Sequence, residues 1–275
     1  MTLYERIKEY ENAVDPYLTK RVPVMMRFDG RAFKTYTKGF KKPFDEILNR
    51  CMRNTMLNLC KSIQGCKLGY TQSDEITVLL TDYDTLETQG WYDYEKRKIE
   101  TNGTSIVVKS FNYFMLQEFL NLEKQMKKDM KHYGVSAEDM KYLKTLQKKT
   151  ELEGLADFDG RAFNMPKEEV CNAFLQRQQD ASRNSIQSLG RAYFSQKDIK
   201  GMSNNMLQDK LFTEKGVNWN DCPTVQKRGC CAIKVPTKVG NGVIRNKWTL
   251  DMDIPIFSAD RDYIDKYVFL KDDKE

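Results

Sequence analysis

Histidine is nearly absent. His132 is the only one in 275 residues. Catalytic schemes that need two histidines, or a histidine between a nucleophile and an acid, therefore have almost nothing to work with. The seven cysteines, Cys51, Cys60, Cys66, Cys171, Cys222, Cys230 and Cys231, include no CxxC pair and are odd in number. That pattern disfavours a zinc site or a disulfide scaffold, and a reducing compartment, the cytoplasm, is expected. No apolar run reaches the roughly 18–20 residues of a membrane helix. The opening MTLYERIKEYENAV is charged and amphipathic and lacks the apolar centre of a signal peptide. Neither sign of charge dominates: 45 Lys and Arg face 39 Asp and Glu, a net +6. That excess permits a polyanionic partner without requiring one.

What is present is an ordinary globular composition, with 40% hydrophobic and 31% charged residues. Residues 3–13 read as a short helix. Val22 to Phe28 is an apolar run ending at Asp29-Gly30-Arg31, which predicts a buried strand and a turn. Phe44, Ile47, Leu48, Cys51, Thr55, Leu59 and Ile63 recur at steps of three and four, which predicts a helix from Phe44 to Ile63. Lys67 to Leu80 reads as a hairpin bent at Ser73-Asp74-Glu75. A further helix is expected from near Tyr94 to Glu118, with Gly103 as its weak point.

Residues 118–150 carry eight lysines between Lys124 and Lys149. They predict a solvated helical pair joined near Tyr133-Gly134, or a basic surface for RNA phosphates. Phe158 to Phe163 then repeats the FDGRAF of Phe28 to Phe33 with unrelated flanks. Helices are expected from Lys167 to Phe194 and from Asn204 to Leu211. Strands are expected from Lys227 to Leu250 around Val239-Gly240-Asn241-Gly242, with Pro236 favouring an edge position. The order strand, helix, strand pair, helix, strand is that of a split β-α-β sheet, an α+β fold of ferredoxin-like type with helices on one face. The expected division is a catalytic region over 1–165, with 118–150 inserted in it, and a helical and hairpin region over 166–275 packed against it.

Two acidic groups stand at strand ends. Asp29 follows the first strand, and Asp74 and Glu75 sit at the hairpin bend. In a split β-α-β sheet these ends can be neighbours, a geometry suited to two Mg²⁺ ions roughly 3.5–4 Å apart. Asp-Gly and Asp-Glu are also common solvated turn residues, so spacing leaves both readings open. Arg27, Arg31, Lys34, Lys38, Lys41 and Lys42 surround the first turn, as triphosphate binding requires and as a charged surface loop would also show.

Taken in order, RFDGRAFKTYTKGFKKPFDE, GYTQSDEITVLL, FDGRAFNMP, RQQDASRNSI and KGVNWNDCPTVQKRG resemble the tRNA-histidine guanylyltransferase superfamily of 3′-to-5′ nucleotide polymerases. The resemblance implies a polymerase palm-like sheet, with two Mg²⁺ ions held by Asp29, the Gly30 carbonyl and Asp74, and with Glu75 close by. It implies nucleotide or triphosphate contacts at Arg27, Gly30, Lys42, Asp45 and Ser73, to which the basic charge around the first turn adds Arg31 and Lys34. Contacts to tRNA or nucleotide are implied at Lys96, Arg97 and Lys98 and, through the helix RQQDASRN, at Arg177, Asp180 and Asn184. It also implies ATP, GTP and other NTPs as substrates, the tRNA acceptor-stem 5′ end as partner, and a homotetramer; that no membrane is involved is expected from the lack of a long apolar run.

Three departures bear on substrate. Lys34 and Ser182 stand where eukaryotic members carry histidine, and the lysine-bearing segment before their FSEFxINYN motif is missing. Gln176 also replaces a usual Trp. These departures favour the bacterial-like branch, which adds template-matched nucleotides to shortened tRNA 5′ ends, over addition of a single G to histidine tRNA. A non-catalytic RNA-binding protein with a palm fold and another palm-fold nucleotidyl enzyme, such as a cyclase, are the readings from other classes. The intact carboxylates disfavour the first, and the RQQDASRN and NWNDCP segments disfavour the second.

Overall fold

A computed structural model of the protein describes residues 17–132, 134–239 and 243–268. The expected helix over 3–13 lies outside them, as do Tyr133 and the Gly240–Gly242 tip of the last hairpin.

Strand β1 (Val24–Gly30) is followed by a short helical turn at Phe33–Tyr36 and by helix α1 (Glu46–Ser62). The hairpin β2 (Cys66–Gln72) and β3 (Glu75–Leu80) comes next. Helix α2 (Lys96–His132), helix α3 (Ala137–Lys148) and strand β4 (Phe158–Asn164) complete the expected β-α-β-β-α-β order. Then come α4 (Val170–Tyr193), α5 (Asn204–Lys215), the hairpin β5 (Cys230–Val239) and β6 (Val243–Asp251), and α6 (Asp262–Val268). All six strands form one antiparallel sheet in the order β4-β1-β3-β2-β5-β6.

Burial on both faces explains why β1 opens on the apolar run Val24-Met25-Met26. Val24, Met26 and Phe28 point to one face, where Met52, Met56 and Leu59 of α1 and Val107, Phe111 and Met115 of α2 cover them. Met25 points to the other face, among Leu68, Tyr70 and Leu79, under Phe174 of α4 and Ile264 of α6. The palm helices thus share one face, as the β-α-β order predicts, and the C-terminal helices bury the other. The β5 strand extends the sheet through Gly69↔Ala232 and its neighbours. Among the described residues, β5 pairs from Ile233 to Val239 with β6 alone, so Pro236 sits on an open ladder edge as expected.

The helical pair expected over 118–150 is present, joined between His132 and Ala137, but it is not a separate insertion. Its first part is the continuation of α2, which runs unbroken through Gly103 to His132, and α3 folds back beside it. Gly103 is not a weak point. A Cβ there would lie 2.7 Å from the Phe28 ring and 2.8 Å from Met26, so the glycine lets α2 press onto β1. Beyond it, buried Met115 and Met126 and half-buried Phe119 and Leu122 continue the helical stripe.

Candidate active site

The antiparallel register gathers the acidic strand ends. Asp29, the penultimate residue of β1, stands opposite Glu75 on β3 and opposite Asp159 on β4. The Gly30 amide donates to the Asp74 carbonyl at 3.1 Å, tying the end of β1 to the hairpin bend. Both turns use left-handed backbone at non-glycine residues, Ala32 at φ 53° and Ser73 at φ 56°. Such a conformation costs about 1–2 kcal/mol and persists only where surrounding contacts fix it. Gly30 is required by close approach, since a Cβ there would fall 2.2 Å from the Phe33 ring.

The Ser73 hydroxyl donates to Asp74 Oδ1 at 2.8 Å. Arg177 Nη1 donates to Glu75 Oε2 at 3.0 Å, and its Nη2 pairs with Asp180. Arg177 is thus the cation that α4 lays on the acidic group, and Glu75 is the carboxylate it occupies. Burial pushes the Asp29 carboxyl above the usual range, and Asp74, Glu75 and Asp159 add to the rise against the opposing Arg27. The residue still reaches solvent, so screening moderates that repulsion. Crowded carboxylates without enough cation are the electrostatic condition that a divalent metal relieves. The donor set is hard oxygen, as Mg²⁺ prefers. Among the described residues no three acidic, cysteine or histidine side chains close around a metal by themselves. Backbone and substrate oxygens would have to complete any shell.

A cavity of about 120 Å³ is lined by Asp29, Asp74, Glu75, Arg177, Asp180 and Asn184 among others. A second of about 360 Å³ shares Gln72, Ser73 and Asp74 with it and opens between Lys34, Lys41, Lys42, Asp45 and Arg191. The sequence-predicted residues Lys34, Lys42, Asp45 and Ser73 therefore meet in one hollow beside the acids. Asp45 is buried and fully engaged, accepting from the Lys41 amide at 2.9 Å, the Leu48 amide at 3.0 Å and the Tyr142 hydroxyl at 2.7 Å. Arg27 shares the sheet face of Asp29, with its Nε buried and unpartnered.

Other expected residues lie elsewhere. Arg31 is exposed, its amide held by the Asp157 carbonyl at 2.9 Å. Lys96, Arg97 and Lys98 open α2 and pair with Glu100 or Glu95, and they line neither cavity. Missed in the sequence were Arg191, Asp159 and Tyr142. Arg191 had a readable signal: 177, 180, 184, 188 and 191 follow helical steps of three and four, and all five residues line one or other cavity. Asp159 and Tyr142 depend on sheet pairing and on the fold-back of α3, which no local pattern announces.

A family model described as tRNAHis guanylyltransferase (Thg1) matches residues 4–166. The chain belongs to that family. It is accordingly a nucleotidyltransferase, and family membership supports 3′-to-5′ addition at the tRNA 5′ end. A bacterial tRNA(His) guanylyltransferase-like protein solved in complex with ATP is 38% identical, with a TM-score of 0.79, over 98% of this chain and 100% of that one. A probable tRNA(His) guanylyltransferase of Dictyostelium discoideum is 22% identical over 86% of this chain and 84% of its own. The tRNA(His) guanylyltransferase of Saccharomyces cerevisiae, 19% identical with a TM-score of 0.60 over 91% of this chain and 98% of its own, shares the fold. The bacterial likeness agrees with the branch expected from Lys34 and Ser182. Among the described residues no helix is long and apolar enough to cross a membrane.

Proposed function

We propose that this protein adds template-matched nucleotides in the 3′-to-5′ direction to tRNAs with shortened 5′ ends. The observation that carries the chemistry is the convergence of Asp29, Asp74 and the Gly30 backbone at one end of the sheet, beside a hollow walled by Lys34, Lys41, Lys42 and Arg191. In this reading Asp29, Asp74 and the Gly30 carbonyl hold two Mg²⁺ ions. When bound, these would acidify the attacking hydroxyl and stabilise the charge on the transferring phosphate.

The chain's own residues do the rest. Lys34, Lys41, Lys42 and Arg191 bind the nucleotide's triphosphate by charge-assisted contacts. Arg177 pairs with Glu75 and holds it aside, which leaves Asp29 and Asp74 to act as ligands. Arg27 limits the upward shift at Asp29. No proton passes through a histidine.

The reaction balances as two displacements. An oxygen of the RNA 5′-phosphate attacks the α-phosphorus of ATP and releases pyrophosphate. The 3′-hydroxyl of the incoming NTP then attacks the activated 5′-phosphorus and releases AMP. Where the RNA end already carries a triphosphate, pyrophosphate leaves in a single step. The bacterial relatives solved with ATP and with GTP support nucleoside triphosphates as substrates. The family resemblance supports a tetramer acting in the cytoplasm. The shared sheet supports residues 166–275 working with the palm as one unit.

Template matching follows from the missing eukaryotic features. Reading an anticodon needs particular side chains at base edges. With Lys34 and Ser182 in place of histidine, discrimination passes to pairing with the acceptor strand. The test is a tRNA lacking its first nucleotide, with the opposing base set to A, C, G or U in turn. Incorporation of the complementary nucleotide each time is expected. Incorporation of G regardless, confined to tRNA with a histidine anticodon, would replace this reading with single guanylate addition.

A further inference from the structure

The Lys-rich helix α3 has no place in the site as the sequence presents it. Its inner face, however, lies along the loop that walls the larger hollow. That loop, residues 37–45, has no helix or strand of its own. A cationic loop of this kind needs its shape held from outside if it is to present Lys41 and Lys42 to a triphosphate.

One carboxylate does much of the holding. Asp45 Oδ2 accepts from the Lys41 amide at 2.9 Å and from the Tyr142 hydroxyl of α3 at 2.7 Å, while Oδ1 accepts from Leu48 at the start of α1 at 3.0 Å. The Tyr142 ring meets Phe40 edge-on at 6.5 Å and carries Lys41 Nζ 4.9 Å from its centre. One turn further, Thr145 packs 3.0 Å from where Gly39 would bear a Cβ. Lys149, just past the helix, places its Nζ 4.5 Å from the Tyr36 ring centre. Positions 142, 145 and 149 form a single helical stripe that touches the loop at Gly39, Phe40, Lys41 and Asp45 and the helical turn before it at Tyr36. Tyr142 is 8% exposed and Asp45 4%, so this junction is dry.

We infer that α3 braces the nucleotide loop and that Tyr142 is a positioning residue for nucleotide binding, acting through Asp45. This rests on the larger hollow being the NTP site. Burial, reinforced by the bond to Asp45, pushes the phenol far above its usual range, so it remains a donor at every working pH. The hydroxyl contributes little to packing that the ring does not already provide. Its removal leaves the core intact and frees one Asp45 oxygen from α3.

The test is Tyr142→Phe, with steady-state kinetics on a 5′-shortened tRNA and calorimetric binding of ATP to the full-length protein. We expect KM for NTP and Kd for ATP to rise roughly tenfold, the equivalent of about 1.4 kcal/mol. Both kcat and KM for the tRNA should stay within about twofold, because the acids and the RNA surface are untouched. Asp45→Asn should move the same constants in the same direction. Combining the two should add little, as expected for residues acting through one contact. A lowered Tm with unchanged Kd and KM would make Tyr142 a packing residue and overturn the inference. If the wild type binds ATP yet extends no RNA, the proposed reaction fails while the brace is still judged on Kd. If the wild type binds no nucleotide, the hollow is not an NTP site and both fall.

Discussion

The same six residues, FDGRAF, occur twice in this chain and end in two different structures. At 28–33 the motif closes a strand: Phe28 is buried, β1 stops at Gly30, and Ala32 turns left-handed into the helical turn at Phe33. At 158–163 it is itself the strand, running straight from Phe158 to Phe163 at the edge of the sheet. The two lie side by side and antiparallel, Asp29 facing Asp159 and Phe28 facing Gly160. Context makes the difference. VPVMM supplies the strand before the first copy, so the motif becomes its end. The second copy follows a short 3₁₀ turn, and Asn164-Met165-Pro166 ends the strand behind it. Only the first aspartate also meets the hairpin bend that carries Asp74 and Glu75. Identical sequence therefore gives one candidate ligand and one neighbour that perturbs it.

The comparison can be broken most sharply at the aspartates. Asp29→Ala, or Asp74→Ala, should cut nucleotide addition by about 10³-fold or more, since each would remove a proposed ligand from an ion asked to supply several kcal/mol. Asp159→Ala should remain within about tenfold of the wild type. Single-turnover assays with labelled NTP, with circular dichroism to confirm folding, separate these outcomes.

The two glycines sharpen it next. Gly30→Ala drives a methyl into the Phe33 ring, and Gly160→Ala drives one to 2.3 Å from Thr104 Oγ1 and 2.9 Å from the Phe28 ring. Each should cost roughly 1–3 kcal/mol of stability in urea unfolding. Only Gly30→Ala should also remove nucleotide addition from the molecules that remain folded, because it moves the Gly30 carbonyl.

A smaller effect is electrostatic. Asp159 helps raise the Asp29 carboxyl, so Asp159→Asn should shift the acid limb of the pH–activity profile to lower pH. An unmoved limb would show that the two strand ends are uncoupled. Smallest of all is a stability effect in metal-free buffer. The folded Asp29 value lies above its ordinary one, so its ionisation is tolerated less well in the folded chain than in the unfolded one. Stability falls as pH rises through the raised value. Asp29→Asn should therefore raise the metal-free Tm slightly at neutral pH, an advantage that disappears below about pH 3.9. A lower Tm at neutral pH would mean that the carboxylate is satisfied without metal.

Much of this was legible in the sequence because it is periodic or local. The apolar run before Asp29, the α1 stripe and the polar bend at Ser73-Asp74-Glu75 each declare their element, and the β-α-β-β-α-β order then brings the acidic ends together. The extent of α2 was not legible. A glycine read by propensity marks a weak point, whereas Gly103 is there for close packing on Phe28 and Met26. Nor was the demand on Asp45 legible. Its caps lie three and four residues away, but its third partner, Tyr142, is 97 positions distant and arrives only because α3 folds back. Lys96, Arg97 and Lys98 open α2 beyond the end of β3, and their pairing with Glu95 or Glu100 was not legible from their place after the QSDE strand.

The central claim is that the first copy of the motif, and not the second, carries the metal. The most direct measurement is Mn²⁺ binding followed by electron paramagnetic resonance, in the presence of a non-hydrolysable ATP analogue. Wild type, Asp29→Ala and Asp159→Ala are titrated in parallel. The account predicts two bound ions in the wild type, the same two in Asp159→Ala, and loss of at least one in Asp29→Ala. Full stoichiometry in Asp29→Ala, or loss confined to Asp159→Ala, would contradict it.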